Sequence, residues 1–149
     1  AISVSSGTDA LLLALMALGA GVLAYSQKTF PKDAPNSWAD FWDVKKFPGR
    51  RALRNHPFAT LEAALMADGV APDKLYPLDV DRAFKKLEEI KPHITVWWTS
   101  GAQSAQLLND GEVDMEMAWN GRVSAVARDD LGVRAAANAR GMQGYAVVR

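Results

Sequence analysis

The side chains best suited to chemistry lie in three short stretches: Asn55-His56-Pro57, Thr99-Ser100-Gly101 with Gln103, and Trp119-Asn120-Gly121. They combine amides, hydroxyls, an imidazole and an indole with the free backbone N–H groups of helix starts. Such a set holds a small polar molecule by hydrogen bonds and ring contact. It does not make a nucleophilic or acid–base catalyst. The chain has no cysteine, and its two histidines, His56 and His93, are the only imidazole bases. No nucleophile, base and orienting group fall together. No Asp, Glu and His cluster has metal-ligand spacing.

The remaining chemistry-bearing groups read as structural. His93 follows Pro92 at the edge of a strand. Trp38, Phe41 and Trp42 recur at helical spacing and belong to a core. The basic run Lys45, Lys46, Arg50, Arg51 and Arg54 reads as a solvated edge. Asp114 and Glu116 share one face of a strand, but no shaped pocket makes them a catalytic pair.

These loops need strands and helices to hold them. Gly21–Tyr25, Arg51–Arg54, Ile94–Trp98 and Asp114–Trp119 read as strands, with shorter ones at Ile2–Val4 and Tyr145–Val148. Helices are expected from Thr8 to Leu18, Thr60 to Asp68, Asp79 to Ile90, Ala102 to Asn109 and Val123 to Arg128. Ser37 with Asp40 marks a short capped helix. Gly69 and Pro92 end the helices they follow. Strands alternating with helices predict a three-layer α/β sandwich, a mostly parallel sheet with helices on both faces. In such a sheet ligands sit at the carboxyl ends of the strands, where the three stretches fall.

Composition narrows the function. The 149 residues form one domain able to bury a core without disulfides. Seventeen basic residues balance seventeen acidic ones, leaving no field to draw in nucleic acid. The longest apolar run, Ala10–Leu18, is far short of the roughly twenty residues that span a bilayer. No membrane insertion is expected. The same run lacks the basic flank of a signal peptide.

Two stretches resemble known families. Ser37-Trp38-Ala39-Asp40-Phe41-Trp42-Asp43, Phe47-Pro48-Gly49, Leu61 to Gly69, Asp73 to Asp79, Gly111-Glu112-Val113-Asp114 and Trp119-Asn120-Gly121-Arg122 occur in the order found in ABC-transporter solute-binding proteins of the spermidine/putrescine type. The resemblance covers about residues 21–128 and corresponds to the second of two lobes that close on a ligand. It implies a periplasmic setting and ligand contacts at Asn55, His56, Ser100, Trp119 and Asn120. Asn55 and His56 are neutral where polyamine binders place carboxylates, so a polyamine finds little to pair with its ammonium groups. Any small polar solute is expected to bind weakly to one lobe, whose exposed edge favours self-association.

Val4-Ser5-Ser6-Gly7-Thr8-Asp9, with the apolar run to Gly19, is similar instead to pyridoxal-phosphate-dependent sugar aminotransferases of fold type I. There the turn equivalent to Gly7 and Thr8 holds a phosphate on backbone N–H groups. No stretch resembles the Schiff-base lysine or pyridine-binding aspartate motifs, so transamination is not expected. The switch near Gly19–Gly21 suggests a chimera: a strand–helix unit at 1–20, a lobe at 21–128 and a terminal strand region at 129–149. The expectation is one non-enzymatic domain without a cofactor or metal, and with little or no activity of its own.

Overall fold

The computed structural model describes residues 21–128 and 133–135. The expected strands at Ile2–Val4 and Tyr145–Val148, the first helix and the phosphate-holding residues Gly7 and Thr8 lie outside them.

Local signals explain most elements. Strand β1 (Gly21–Ser26) leads to the short helix α1 (Trp38–Trp42). Ser37 Oγ accepts the Asp40 N–H at 3.0 Å, and Asp40 Oδ2 accepts the Asn36 N–H at 3.0 Å, so both sides of the entry turn are satisfied. Trp38, Phe41 and Trp42 are buried as their spacing requires. Strand β2 (Arg51–Arg54) enters α2 (Pro57–Ala67), whose first turn is broken at Phe58 and Ala59. Regular helix begins at Thr60, where the pattern placed it. Helix α3 (Val80–Ile90) is capped by Asp79 Oδ1 on the Arg82 N–H and buries Ala83, Leu87 and Ile90. Strand β3 (Ile94–Trp98), helix α4 (Gly101–Asn109), strand β4 (Met115–Trp119), helix α5 (Asn120–Arg128) and strand β5 (Val133–Ala135) follow.

The strands form one sheet in the order β3-β2-β4-β1-β5. β2 runs parallel to β3 and β4, whereas β1 is antiparallel to β4 and to β5. The sheet is therefore mixed, with β1 alone running against the other four described strands. Alternation of strand and helix sets direction only where a helical crossover joins neighbouring strands, as from β2 to β3. Among the described residues no such unit joins β1 to a neighbouring strand. Its antiparallel ladder, Gly21 against Trp119 to Tyr25 against Met115, is a tertiary outcome.

Successive residues of β4 place the helices. Met117 Sδ meets Thr60 of α2 at 3.9 Å, while Glu116 accepts the Ser104 hydroxyl of α4 at 2.7 Å. Because neighbours in a strand face opposite sides, α2 and α4 cover opposite faces, giving three layers. Glu116 is fully buried, and its Oε2 has no hydrogen-bond partner among the described residues. Burial pushes its pKa up to about 8 against the lowering effect of the Ser104 hydrogen bond.

The basic run is a solvated edge at Lys45, Lys46 and Arg50 but not at Arg51. Arg51 is 1% exposed and donates to the carbonyls of Phe41 at 2.8 Å, Gly49 at 2.7 Å and Phe47. One side chain thus ties the loop after α1 to β2. Arg50 stays outside and pairs with Asp114 through Nε at 3.1 Å. The strand's alternation separates these neighbours, and a run of like charges in the sequence conceals that difference.

Candidate functional site

β2 lies between its two parallel neighbours, β3 on one side and β4 on the other. The winding reverses between β2 and β4, where the outgoing loops leave to opposite faces of the sheet. Open α/β sheets bind ligands in the crevice formed at such a point. Arg54 closes β2 and Trp119 closes β4, so these two residues face one another across it.

The Arg54 guanidinium carbon stands 4.7 Å from the centre of the Trp119 ring and 5.8 Å from that of Trp98. The two indoles meet edge to face at 6.2 Å, and Phe58 leans on Trp119 at 6.3 Å. Trp98 is anchored by its Nε1, which donates to the Met117 carbonyl at 2.9 Å. Among the described residues Arg54 forms no ion pair; the paired cations are Lys46, Arg50, Arg82, Lys86 and Lys91. A half-buried arginine held by ring faces gains about 0.5–2 kcal/mol from them and keeps its fork of donors for a planar anion.

Gly101 shapes the opposite wall. A Cβ there would stand 3.1 Å from Trp119 Cδ1 and 3.4 Å from Arg122 Nε. The missing side chain lets α4 begin against the indole and brings a second arginine beside it. Helices α2, α4 and α5 all start at this end of the sheet, after β2, β3 and β4. Their N–H-rich ends add positive potential to the crevice.

The expected site residues divide into two groups. Ser100, Trp119 and Asn120 sit at the carboxyl ends of β3 and β4. Ser100 Oγ accepts the Gln103 N–H at 3.2 Å while Gln103 Oε1 accepts the Thr99 N–H at 3.0 Å, a reciprocal cap that holds the loop. Asn120 is buried, and its Oδ1 accepts the Gly121 N–H at 2.8 Å. Asn55 and His56 instead line a cleft of about 530 Å³ between the start of α2, helix α3 and the edge strand β3. The Asn55 N–H donates to the Trp98 carbonyl at 2.8 Å. His56 Nδ1 caps α2 by accepting the Phe58 N–H at 3.1 Å, which places the proton of the neutral ring on Nε2.

Arg54 borders both the crevice and the cleft. Sequence reasoning placed it in a basic run read as a solvated edge rather than an anion site, and named neither Phe58 nor Arg122 as a site residue. The available signal was its place as the last residue of a strand feeding a candidate loop. Among the described residues no His, Asp and Glu group is arranged to hold a metal, and no helix is long and apolar enough to cross a membrane.

A mixed α/β sheet with a ligand crevice at its winding reversal defines a lobe of the periplasmic-binding-protein type. The chain belongs to the bacterial extracellular solute-binding protein family, whose model matches residues 6–148. It is 48% identical over 115 residues to the gamma-aminobutyric acid-binding protein of Pseudomonas aeruginosa, covering 74% of this chain and 32% of that one. An ABC transporter substrate-binding protein from Bradyrhizobium japonicum superposes with a TM-score of 0.77 at 90% identity, covering 78% of this chain and 36% of the other. A gamma-aminobutyric acid receptor, Atu4243, matches with a TM-score of 0.69 at 43% identity over 79% of this chain and 37% of its own. The chain thus spans about a third of the length of these relatives. The family match also spans Gly19–Gly21, so the aminotransferase resemblance and the chimeric junction gain no support from it.

Proposed function

We propose that this chain is a ligand-holding lobe of a periplasmic receptor serving an ABC transporter, and that its crevice takes a small amino acid-like solute by the carboxylate. The observation that carries this reading is Arg54, an arginine without a carboxylate partner among the described residues, laid over Trp119 at the winding reversal. Arg122 beside the same ring and the three helix starts add to the positive potential. The solute's carboxylate takes the Arg54 fork, its hydrocarbon lies on the indole, and Ser100 and the loop amides supply hydrogen bonds. Gamma-aminobutyrate, named for two of the relatives, has this chemistry. A diamine offers no anion to the arginines.

Tight sites bury about 70–90% of a ligand, and one face of a crevice buries less. The affinity expected of this chain is therefore in the millimolar range. Titration with gamma-aminobutyrate should change the tryptophan fluorescence saturably, putrescine should not, and Arg54→Gln should abolish the response. Equal responses to both ligands, or an unchanged response in the variant, would remove the carboxylate reading. The vestigial-lobe reading predicts no saturable response to any solute.

A further inference from the structure

The cleft on the far side of Arg54 has walls of a different character from the crevice. Its floor is hydrocarbon: Leu61 of α2, Leu87 of α3 and the half-buried ring of Trp97. Phe84 also lines it and is 53% exposed, which leaves a large aromatic face open among the described residues. At about 530 Å³ the cleft falls in the range of small-molecule sites, roughly 300–1,000 Å³.

Its rim is cationic. Arg54, without a carboxylate partner among the described residues, and Lys91 both line it. The only carboxylate in the lining is Glu88, already tied to Lys91 at 3.0 Å. That pair is exposed on both sides, so it is worth less than about 1 kcal/mol and yields readily to a better-placed anion. Apolar floor, free aromatic wall and net positive rim together fit one kind of occupant.

We propose that this cleft is a second binding site, separate from the crevice, for a small aromatic carboxylate. The ring of the ligand lies between Phe84 and Trp97 over Leu61 and Leu87, and the carboxylate reaches the rim at Arg54 or Lys91. An aliphatic amino acid fills too little of the floor to use the site, so the two sites select different solutes. Arg54 forms the wall they share and is therefore left unchanged in the test.

The experiment is calorimetric titration of the full chain with 4-phenylbutyrate, its neutral amide and gamma-aminobutyrate. 4-Phenylbutyrate is expected to bind saturably and at least tenfold tighter than the amide. Phe84→Ser should weaken it at least fivefold while leaving gamma-aminobutyrate unchanged; Phe84→Ala is the milder second variant. The exposure of Phe84 keeps both variants folded, which thermal melting verifies. Absence of saturable binding, equal affinity for acid and amide, or indifference to both Phe84 variants would each overturn the proposal. Gamma-aminobutyrate failing while 4-phenylbutyrate behaves as described would remove the crevice reading alone and leave this site standing.

Discussion

Glu116 offers a sharp test of how the sheet is built. Its carboxyl is fully buried between Ala24 of β1 and Ala52 of β2 in the ladder, with the Ser104 hydroxyl as its only hydrogen-bond partner among the described residues. Burial raises its pKa from 4.5 to about 8, so the folded chain holds this proton more tightly than the unfolded chain does. Stability from this group is fully present below about pH 4.5, declines as pH rises, and levels off above about pH 8. At 1.36 kcal/mol per pH unit, the loss between about pH 5 and 7.5 is about 3 kcal/mol. Glu116→Gln keeps the shape and removes the titration. Its amide donor carries a cost of about 1–3 kcal/mol, but that cost is the same at every pH. Urea unfolding followed by tryptophan fluorescence should therefore show wild type losing about 3 kcal/mol relative to the variant across this window. At an m-value of about 1.5 kcal/mol per molar, that is a relative midpoint change of about 2 M urea. Parallel pH profiles for the two proteins would refute the reasoning and mean that water reaches the carboxylate.

Two further substitutions test the elements around the site. Arg51→Met strips the carbonyls of Phe41, Phe47 and Gly49 of their buried donor, and should cost about 3 kcal/mol or more in thermal unfolding; a loss below about 1 kcal/mol would show that the loop closes without it. Gly101→Ala places a methyl 3.1 Å from Trp119 Cδ1, so the indole must shift. Fluorescence titration should then show weaker binding of gamma-aminobutyrate, while the melting temperature changes little; an unchanged affinity would place the ligand away from Trp119.

Much of the local structure was legible because it is decided within a few residues. Ser37 with Asp40, Asp79 with Arg82 and Ser100 with Gln103 are side chain to backbone contacts made within one turn. The helices they start, and the strand Ile94–Trp98, lie where the pattern placed them. The candidate loops were legible for a related reason: loops at the carboxyl ends of strands are where polar side chains and free N–H groups gather. The division of the five candidate residues between a crevice and a separate cleft was not. It depends on which strands are neighbours, and β2 acquires β3 on one side and β4 on the other only when the sheet assembles.

Arg50, Arg51 and Arg54 show the boundary most plainly. By itself the sequence determined the strand Arg51–Arg54, the turn before it and the polar loop after it. It presented the three arginines as one basic run. Tertiary structure alone decided that Arg50 pairs with Asp114, that Arg51 is buried among carbonyls and that Arg54 lies across two indoles. The physical reason is that Asp114 and the two indoles come from distant parts of the chain, brought close by sheet order and register, while Arg51, whose carbonyl partners are near in sequence, is buried only because the assembled sheet is covered on its side. The same cause set the direction of β1, for which no local signal exists.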